Sequence, residues 1–184
     1  GSSVAEPIGQ ITLVQGIVRI MRSDGAELVA EAGTEIFEGD VVETKQDAAV
    51  GLEFEDKTTL SLGADARMVL DEFVYNPANN AGNLGVSVLQ GAFSFVSGEV
   101  AKLSPDAMTV TTPTATIGIR GTKVAGIAAA EGELSNISLL PESDGSVVAI
   151  AISNDGGSVV LTEAGSTVQL TSFNQSPPPP IILS

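Results

Sequence analysis

The 184-residue sequence contains no cysteine and no histidine. Without histidine, the chain lacks the commonest general acid–base, the commonest neutral metal ligand and every Ser-His catalytic pair. Without cysteine, disulfides and thiolate zinc sites are excluded. We therefore expect a protein that is not a conventional enzyme and that uses no cofactor and no metal.

Basic residues are also scarce, since 8 Lys and Arg stand against 23 Asp and Glu and give a formal net charge of −15. Such a chain repels phosphate backbones, which excludes nucleic acid as a partner. The apolar runs are too short to span a bilayer, so direct membrane insertion is not expected. Cysteine-free, acidic composition favours an extracytoplasmic location, in the periplasm, at the cell surface or secreted.

Strand patterns occupy most of the chain, and helical periodicity with a capping residue is almost missing. The clearest hairpin is VGLEFEDKTTLSL (50–62), in which apolar and polar residues alternate and Asp56-Lys57 forms the turn. The predicted fold is all-β: a single domain of mostly antiparallel strands, a sandwich or rolled sheet, with a C-terminal β-meander. The predicted core residues are Leu52, Phe54, Leu60, Leu62, Phe93, Phe95, Ile117 and Ile119.

Glycines and asparagines mark the breaks between strands. The segment 11–22 reads as two strands broken at Gly16, and 86–98 reads as a strand that bends at Gly91. The segment 66–75 is a further strand, with Met68, Leu70 and Phe73 facing inward. The Asn- and Gly-rich segment 76–85 is predicted to be an exposed loop.

Four regions follow from these patterns. Residues 1–7 are interpreted as a tag remnant and leader, and 8–130 as the main β domain. Residues 131–173 alternate strand runs with turn signals and are predicted to be a four-stranded meander packed on that domain. Residues 174–184 contain four consecutive prolines and are interpreted as a stiff linker to a further part of a longer protein.

Acidic residues offer two weak candidates for chemistry. Carboxylate pairs capable of acid–base work are best explained as solubilising residues on strands that face water; they are Glu53/Glu55 and Asp71/Glu72. Asp- and Asn-containing turns could hold calcium but match no calcium-binding loop, so calcium stays possible but unsupported; they are 23–25, 143–145 and 154–157.

The segment TPTATIGIRGTKVAG (112–126) places one of the few basic residues, Arg120, directly before Gly121-Thr122. Arg120 is interpreted as a structural arginine that anchors the end of a buried strand. A second hypothesis is that the Thr122 hydroxyl attacks the Gly121 carbonyl, so that the chain cleaves itself without histidine. The structural explanation is favoured, with no catalytic residue.

Several motifs together resemble the FecR domain family, over roughly residues 8 to 128. They are Gly39-Asp40, Thr44, Thr112-Pro113 and Arg120-Gly121-Thr122, together with a hairpin that the family closes with Asp-Gly-Ser/Thr. The chain departs from this pattern at Lys57, where the family favours glycine. By the same likeness, Asp40 is the first choice as partner of Arg120.

The resemblance implies an exported β-rich domain. Two contexts are open, and the first, a non-enzymatic structural or protein-interaction module of a large bacterial surface or secreted protein, is favoured. The alternative is the periplasmic signalling domain of an anti-sigma-type regulator in iron uptake, which relays a signal from an outer-membrane receptor and in some members cuts itself at the Gly-Thr pair. In both contexts the expected partner is a protein, or a second copy bound through β-strand edges.

Overall fold

A computed structural model describes residues 5–182 of the chain, so residues 1–4 of the predicted leader and residues 183–184 of the predicted linker lie outside it. Among the described residues, strands make up 52% and helical residues 3%, which confirms the all-β prediction. The strands are β1 (Gly9–Gln15), β2 (Val18–Met21), β3 (Glu27–Val29), β4 (Glu35–Ile36), β5 (Val41–Thr44), β6 (Ala49–Phe54), β7 (Thr59–Leu62), β8 (Arg67–Asn76), β9 (Ala81–Val96), β10 (Met108–Thr111), β11 (Thr116–Ile119), β12 (Lys123–Ala128), β13 (Ser135–Leu140), β14 (Ile150–Asn154), β15 (Gly157–Leu161), β16 (Ser166–Leu170) and β17 (Ile181–Ile182).

The long strand β9 joins two halves of one continuous sheet. Its first half pairs with β8 and β10, and its second half pairs with β7 and β12. The change of partners falls at Gly91, whose φ is +102° and where a Cβ atom would lie 2.5 Å from the Cβ of Ala66. Only glycine fits this position, which confirms the predicted bend.

Each half contains nine strands, β9 being shared. Sheet A has the order β4-β1-β6-β7-β9-β12-β13-β16-β17. Sheet B has the order β3-β2-β5-β8-β9-β10-β11-β14-β15. Among the described strands β9–β10 is the one parallel pair, so the predicted antiparallel character is confirmed.

The two halves share one hydrophobic core. Phe54 of sheet A stacks on Phe73 of sheet B, with ring centroids 5.7 Å apart. All eight predicted core residues are buried, as are Met68 and Leu70. The hairpin of β6 and β7 explains why alternation predicts burial here, since Leu52 faces Leu60 across the ladder and both point inward.

The predicted loop 76–85 is wrong over half of its length. The chain turns through the short 3-10 segment Pro77–Asn79 and the left-handed Asn80, and β9 already begins at Ala81. Tyr75 then pairs with Gly82, whose missing side chain permits an approach in which a Cβ would lie 3.0 Å from the Val74 carbonyl oxygen. The glycine that predicted a loop in the sequence, Gly82, instead allows close packing within the strand pair.

The four strands predicted in 131–173 are present, but they do not pair in consecutive order as a meander would. The β14–β15 hairpin extends sheet B, whereas β13 pairs with β16 in sheet A. The chain therefore crosses between the halves after Leu140 and again after Leu161.

The described part of the predicted linker returns to the domain. Pro177 is buried, and Ile181 pairs with Thr167 of β16. Ser176 lies against the β14–β15 turn, where a Cβ on Gly156 would come within 2.3 Å of the Ser176 nitrogen. Residues 174–182 thus pack on the sheet instead of extending from it as a spacer.

Candidate functional site

The buried Asp40 forms an ion pair with the half-buried Arg22, not with the predicted partner Arg120. The Asp40 side chain is 1% exposed, and its Oδ2 accepts hydrogen bonds from Arg22 Nη1 and from the Phe37 amide, the latter at 2.9 Å. Arg22 also lies over the Phe37 ring, 4.6 Å from its centroid, and donates to the Glu35 carbonyl oxygen. Burial raises the pKa of Asp40, although the Phe37 amide and the Arg22 guanidinium oppose the shift.

Arg120 is exposed and makes no hydrogen bond or ion pair with the residues that the structure describes. The prediction that it anchors a buried strand is therefore wrong. The strand β11 ends at Ile119, so Arg120 already belongs to the turn that follows. The apolar residues around Arg120 in the sequence predicted that it lies inside the strand. In the structure, its guanidinium is exposed to solvent just after the end of β11.

Thr44 fastens the end of β5 to the turn before β8. Its Oγ1 donates to the Gly63 carbonyl oxygen at 2.6 Å and accepts from the Ala66 amide at 2.8 Å. The side chain is 3% exposed. Thr44 is therefore a structural residue, because both hydrogen-bonding functions of the hydroxyl are used within the fold.

The tight turn of the β6–β7 hairpin is closed by a second buried carboxylate. Asp56 is fully buried, and its two oxygens accept three hydrogen bonds, from the Thr58 amide at 3.0 Å, the Thr58 hydroxyl at 2.8 Å and the Val100 amide at 2.9 Å. Thr58 Oγ1 in turn accepts from the Gly98 amide at 3.0 Å. Asp56 thus ties the hairpin to the chain that follows β9.

Lys57 lies between these two residues with a φ of +76°. This left-handed conformation explains why glycine suits the position and why lysine departs from the pattern noted in the sequence. The Lys57 side chain is exposed and approaches Glu53 at 3.7 Å. The turn keeps its geometry because Asp56 and Thr58 hold it from both sides.

Thr112 and Pro113 form the turn between β10 and β11. Thr112 Oγ1 donates to the Ala115 carbonyl oxygen at 3.0 Å and accepts from the Ala115 amide at 3.1 Å. Thr114 is also buried, and its hydroxyl has no partner among the described residues. The Thr-Pro motif is thus a turn held by a threonine side chain.

Gly121 and Thr122 connect β11 to β12. Gly121 has a φ of +122°, which side chains rarely adopt, and a Cβ there would meet only Ser97 Oγ, at 3.9 Å. The fully buried Thr122 donates its hydroxyl to the Leu140 carbonyl oxygen at 3.1 Å, and its own carbonyl accepts from the Ser97 amide. Cleavage of the Gly121-Thr122 bond stays a prediction.

The remaining acidic candidates are turn and surface residues. Asp71 accepts a hydrogen bond from the Ser87 hydroxyl at 2.6 Å, while Glu55 and Glu72 are exposed. Asp24 accepts from the amide two residues later, as Asp144 does, which is ordinary turn chemistry. Within residues 5–182, no three acidic side chains gather closely enough to hold a metal ion.

The structure thus defines an all-β domain whose successive turns are held by buried polar side chains. A family model described as FecR protein matches residues 40–147, more than half of the chain. The chain belongs to the FecR family. The match begins at Asp40 and includes the Asp56 turn, the Thr112-Pro113 turn and Gly121-Thr122. A comparison with curated proteins finds no significant match.

Sequence reasoning missed two residues of this set. Arg22 follows β2 in a polar context that does not set it apart from other surface arginines. Asp56 was placed in the turn, but its bond to Val100 joins residues 44 apart in sequence. The Asp-x-Thr spacing in a two-residue turn was the available signal for Asp56.

Proposed function

We propose that this domain is the extracytoplasmic signalling domain of a FecR-type regulator, and that it acts by binding protein partners rather than by catalysis. The family match over residues 40–147 carries the proposal. The FecR family favours this signalling role over a structural module of a large surface protein, because the family suggests regulation.

The charge and the surface support a role in protein contact. A net charge of −15 opposes binding to nucleic acid or to anionic lipid. Within residues 5–182 no helical stretch has the length and apolar character that crossing a membrane requires. Among the described strands, the outer strands β3 and β15 each pair with a single neighbour, which leaves backbone groups free for a partner strand.

Exposed apolar side chains on sheet A provide a second contact surface. Val96 and Ile127 are 37% and 48% exposed, and they lie on the neighbouring strands β9 and β12. Between them lie the small residues Ser94 and Ala125, which form a cross-strand pair. A sheet face that carries exposed apolar side chains suits packing against another protein.

The test is a chromosomal deletion of residues 40–147, followed by sequencing of the cellular transcripts. A signalling domain predicts that a small, defined set of transcripts changes, and that the chain supplied from a plasmid restores it. A structural surface module predicts an altered envelope without such a set. The Asp56→Ala chain, which keeps the surface residues but weakens the fold, serves as a partial-function control in the complementation.

Self-cleavage at Gly121-Thr122 is a separate part of the proposal. If it occurs, intact-mass analysis under denaturing conditions shows fragments 1–121 and 122–184 for the natural sequence and one chain for Thr122→Ala. A single uncut mass for both proteins rejects self-cleavage and leaves the signalling proposal standing.

A further inference from the structure

The last long strand of sheet A has an incompletely paired outer edge. On its inner side, β16 pairs with β13 through Thr167–Leu170. On its outer side, among the described residues, only Ser166 and Thr167 have strand partners, which are Ile182 and Ile181 of β17. Val168 and Leu170 are each 1% exposed, so their side chains fix β16 firmly in the core.

The segment that reaches this edge, Asn174–Ile182, is called the strap. Gln175 anchors one end of the strap. Its side-chain Oε1 accepts a hydrogen bond from the Thr171 hydroxyl at 2.9 Å, and its backbone carbonyl oxygen accepts one from Asn154 Nδ2 at 2.6 Å. Pro177 is buried beside this anchor. Among the described residues, the strand pairing of the other end consists of the two pairs that Ile181 and Ile182 make with β16.

Prolines 178–180 lie between the two anchors. Proline has no N–H group, so this part of the strap cannot donate hydrogen bonds to the carbonyl oxygens of Val168–Leu170. Ile181 and Ile182 remain 50% and 55% exposed, so lifting this end of the strap uncovers little buried apolar surface. The strap therefore covers the edge without completing the ladder.

A proline-free strand could pair along the whole of β16. The sequence STVQL of Ser166–Leu170 has no charged residue, although the chain as a whole carries −15. Two copies of this strand, running antiparallel about a two-fold axis, would thus pair without like charges facing each other within it. Such a pair would also satisfy backbone groups that the strap leaves open.

We propose that the outer edge of β16 is a self-association site, which β16 of a second copy occupies when residues 178–182 of the strap lift. The proposal rests on the role in protein contact proposed above and names a second copy as the partner. Its failure would leave the transcript experiment unaffected, so the two proposals are tested separately.

The test uses a double variant, Ser166→Cys with Ile182→Cys, in a chain that has no other cysteine. These positions face each other across the ladder, where Cα atoms of antiparallel pairs lie about 4.5–5.5 Å apart, within the range that a disulfide spans. Oxidation locks the strap on β16, and reduction frees it in the same sample. Sedimentation equilibrium over a concentration series then measures the dimerisation constant.

We expect the reduced protein to dimerise at least about tenfold more tightly than the oxidised protein. Reducing the oxidised sample should restore the tighter dimerisation. Ile181→Pro, which removes an N–H from the strap without changing β16, is expected to strengthen dimerisation as well. Circular dichroism confirms that each variant is folded before the comparison.

Three results would overturn the proposal: equal dimerisation constants for the oxidised and reduced protein, a monomeric Ile181→Pro variant throughout the series, or loss of dimerisation in Ile181→Pro when Val160→Lys is added. Val160 lies on β15, the open edge of sheet B, and is 50% exposed. An unchanged constant in the last variant supports β16 as the site.

Discussion

Replacing Asp56 by alanine should destabilise the domain strongly, although Asp56 forms no ion pair among the described residues. The change leaves the Thr58 amide, the Thr58 hydroxyl and the Val100 amide without their acceptor. The hydroxyl can rotate, whereas the two amides are fixed by the backbone, one in the hairpin turn and the other in the short 3-10 segment Val100–Lys102. A buried donor without an acceptor costs about 1–3 kcal/mol, so we expect a loss of roughly 2–5 kcal/mol.

Such a loss is a large part of the 5–15 kcal/mol that is usual for the free energy of unfolding. Urea denaturation followed by far-UV circular dichroism measures it, since the chain has no tryptophan. Asp56→Asn, which keeps one acceptor oxygen, should lose less. Glu53→Ala is the matched control on the same hairpin, where removal of the partly exposed partner of Lys57 should cost under about 1 kcal/mol.

The account of the Asp56 turn would be refuted if Asp56→Ala lost no more than Glu53→Ala. That result would mean that water or a local shift of the turn satisfies the two amides. The slope of the urea transition provides a check, because an unchanged slope indicates that the variant unfolds from a similarly compact native state.

Three further predictions concern Lys57, Gly121 and Asp40. Lys57→Gly should stabilise the domain by roughly 0.5–1 kcal/mol, because relief of the left-handed conformation exceeds the added chain entropy; a loss in urea melts would contradict this. Gly121→Ala should cost about 1–3 kcal/mol through its positive φ, whereas Gly118→Ala, where a Cβ finds only ordinary contacts, should cost clearly less in the same melts. Because burial raises the pKa of Asp40 in the folded state, that state binds its proton more tightly than the unfolded chain, so the contribution of Asp40 to stability falls as pH rises through the folded pKa. The stability of the natural protein relative to Asp40→Asn should therefore increase between pH 7 and about pH 4; a decrease would show that the Arg22 ion pair dominates.

Local features of the fold could be read from the sequence because they depend on nearest neighbours. The β6–β7 hairpin follows from alternation on both sides of a two-residue turn, and the bend of β9 follows from one glycine within an apolar strand. Both signals act within about ten residues. The same alternation placed Leu52, Phe93 and Ile117 in the core.

Long-range pairing could not be read in the same way. Nothing in the segment 135–173 indicates that β13 pairs with β16 while the hairpin between them joins the other half of the sheet. Similarly, the sequence around Arg22 and Arg120 does not show that folding places a carboxylate beside Arg22 and leaves Arg120 exposed. Asp40 comes to Arg22 because β2 and β5 are neighbours in sheet B.

The proposed signalling function requires that this FecR domain lie outside the cytoplasm, where a signal from a receptor can reach it. Arg120→Cys provides the measurement, since the position is exposed, makes no hydrogen bond or ion pair with the described residues, and lies in a 184-residue sequence without cysteine. A membrane-impermeant maleimide is applied to cells whose outer membrane has been permeabilised and whose inner membrane is intact. The account predicts labelling before lysis; labelling that appears only after lysis would contradict it.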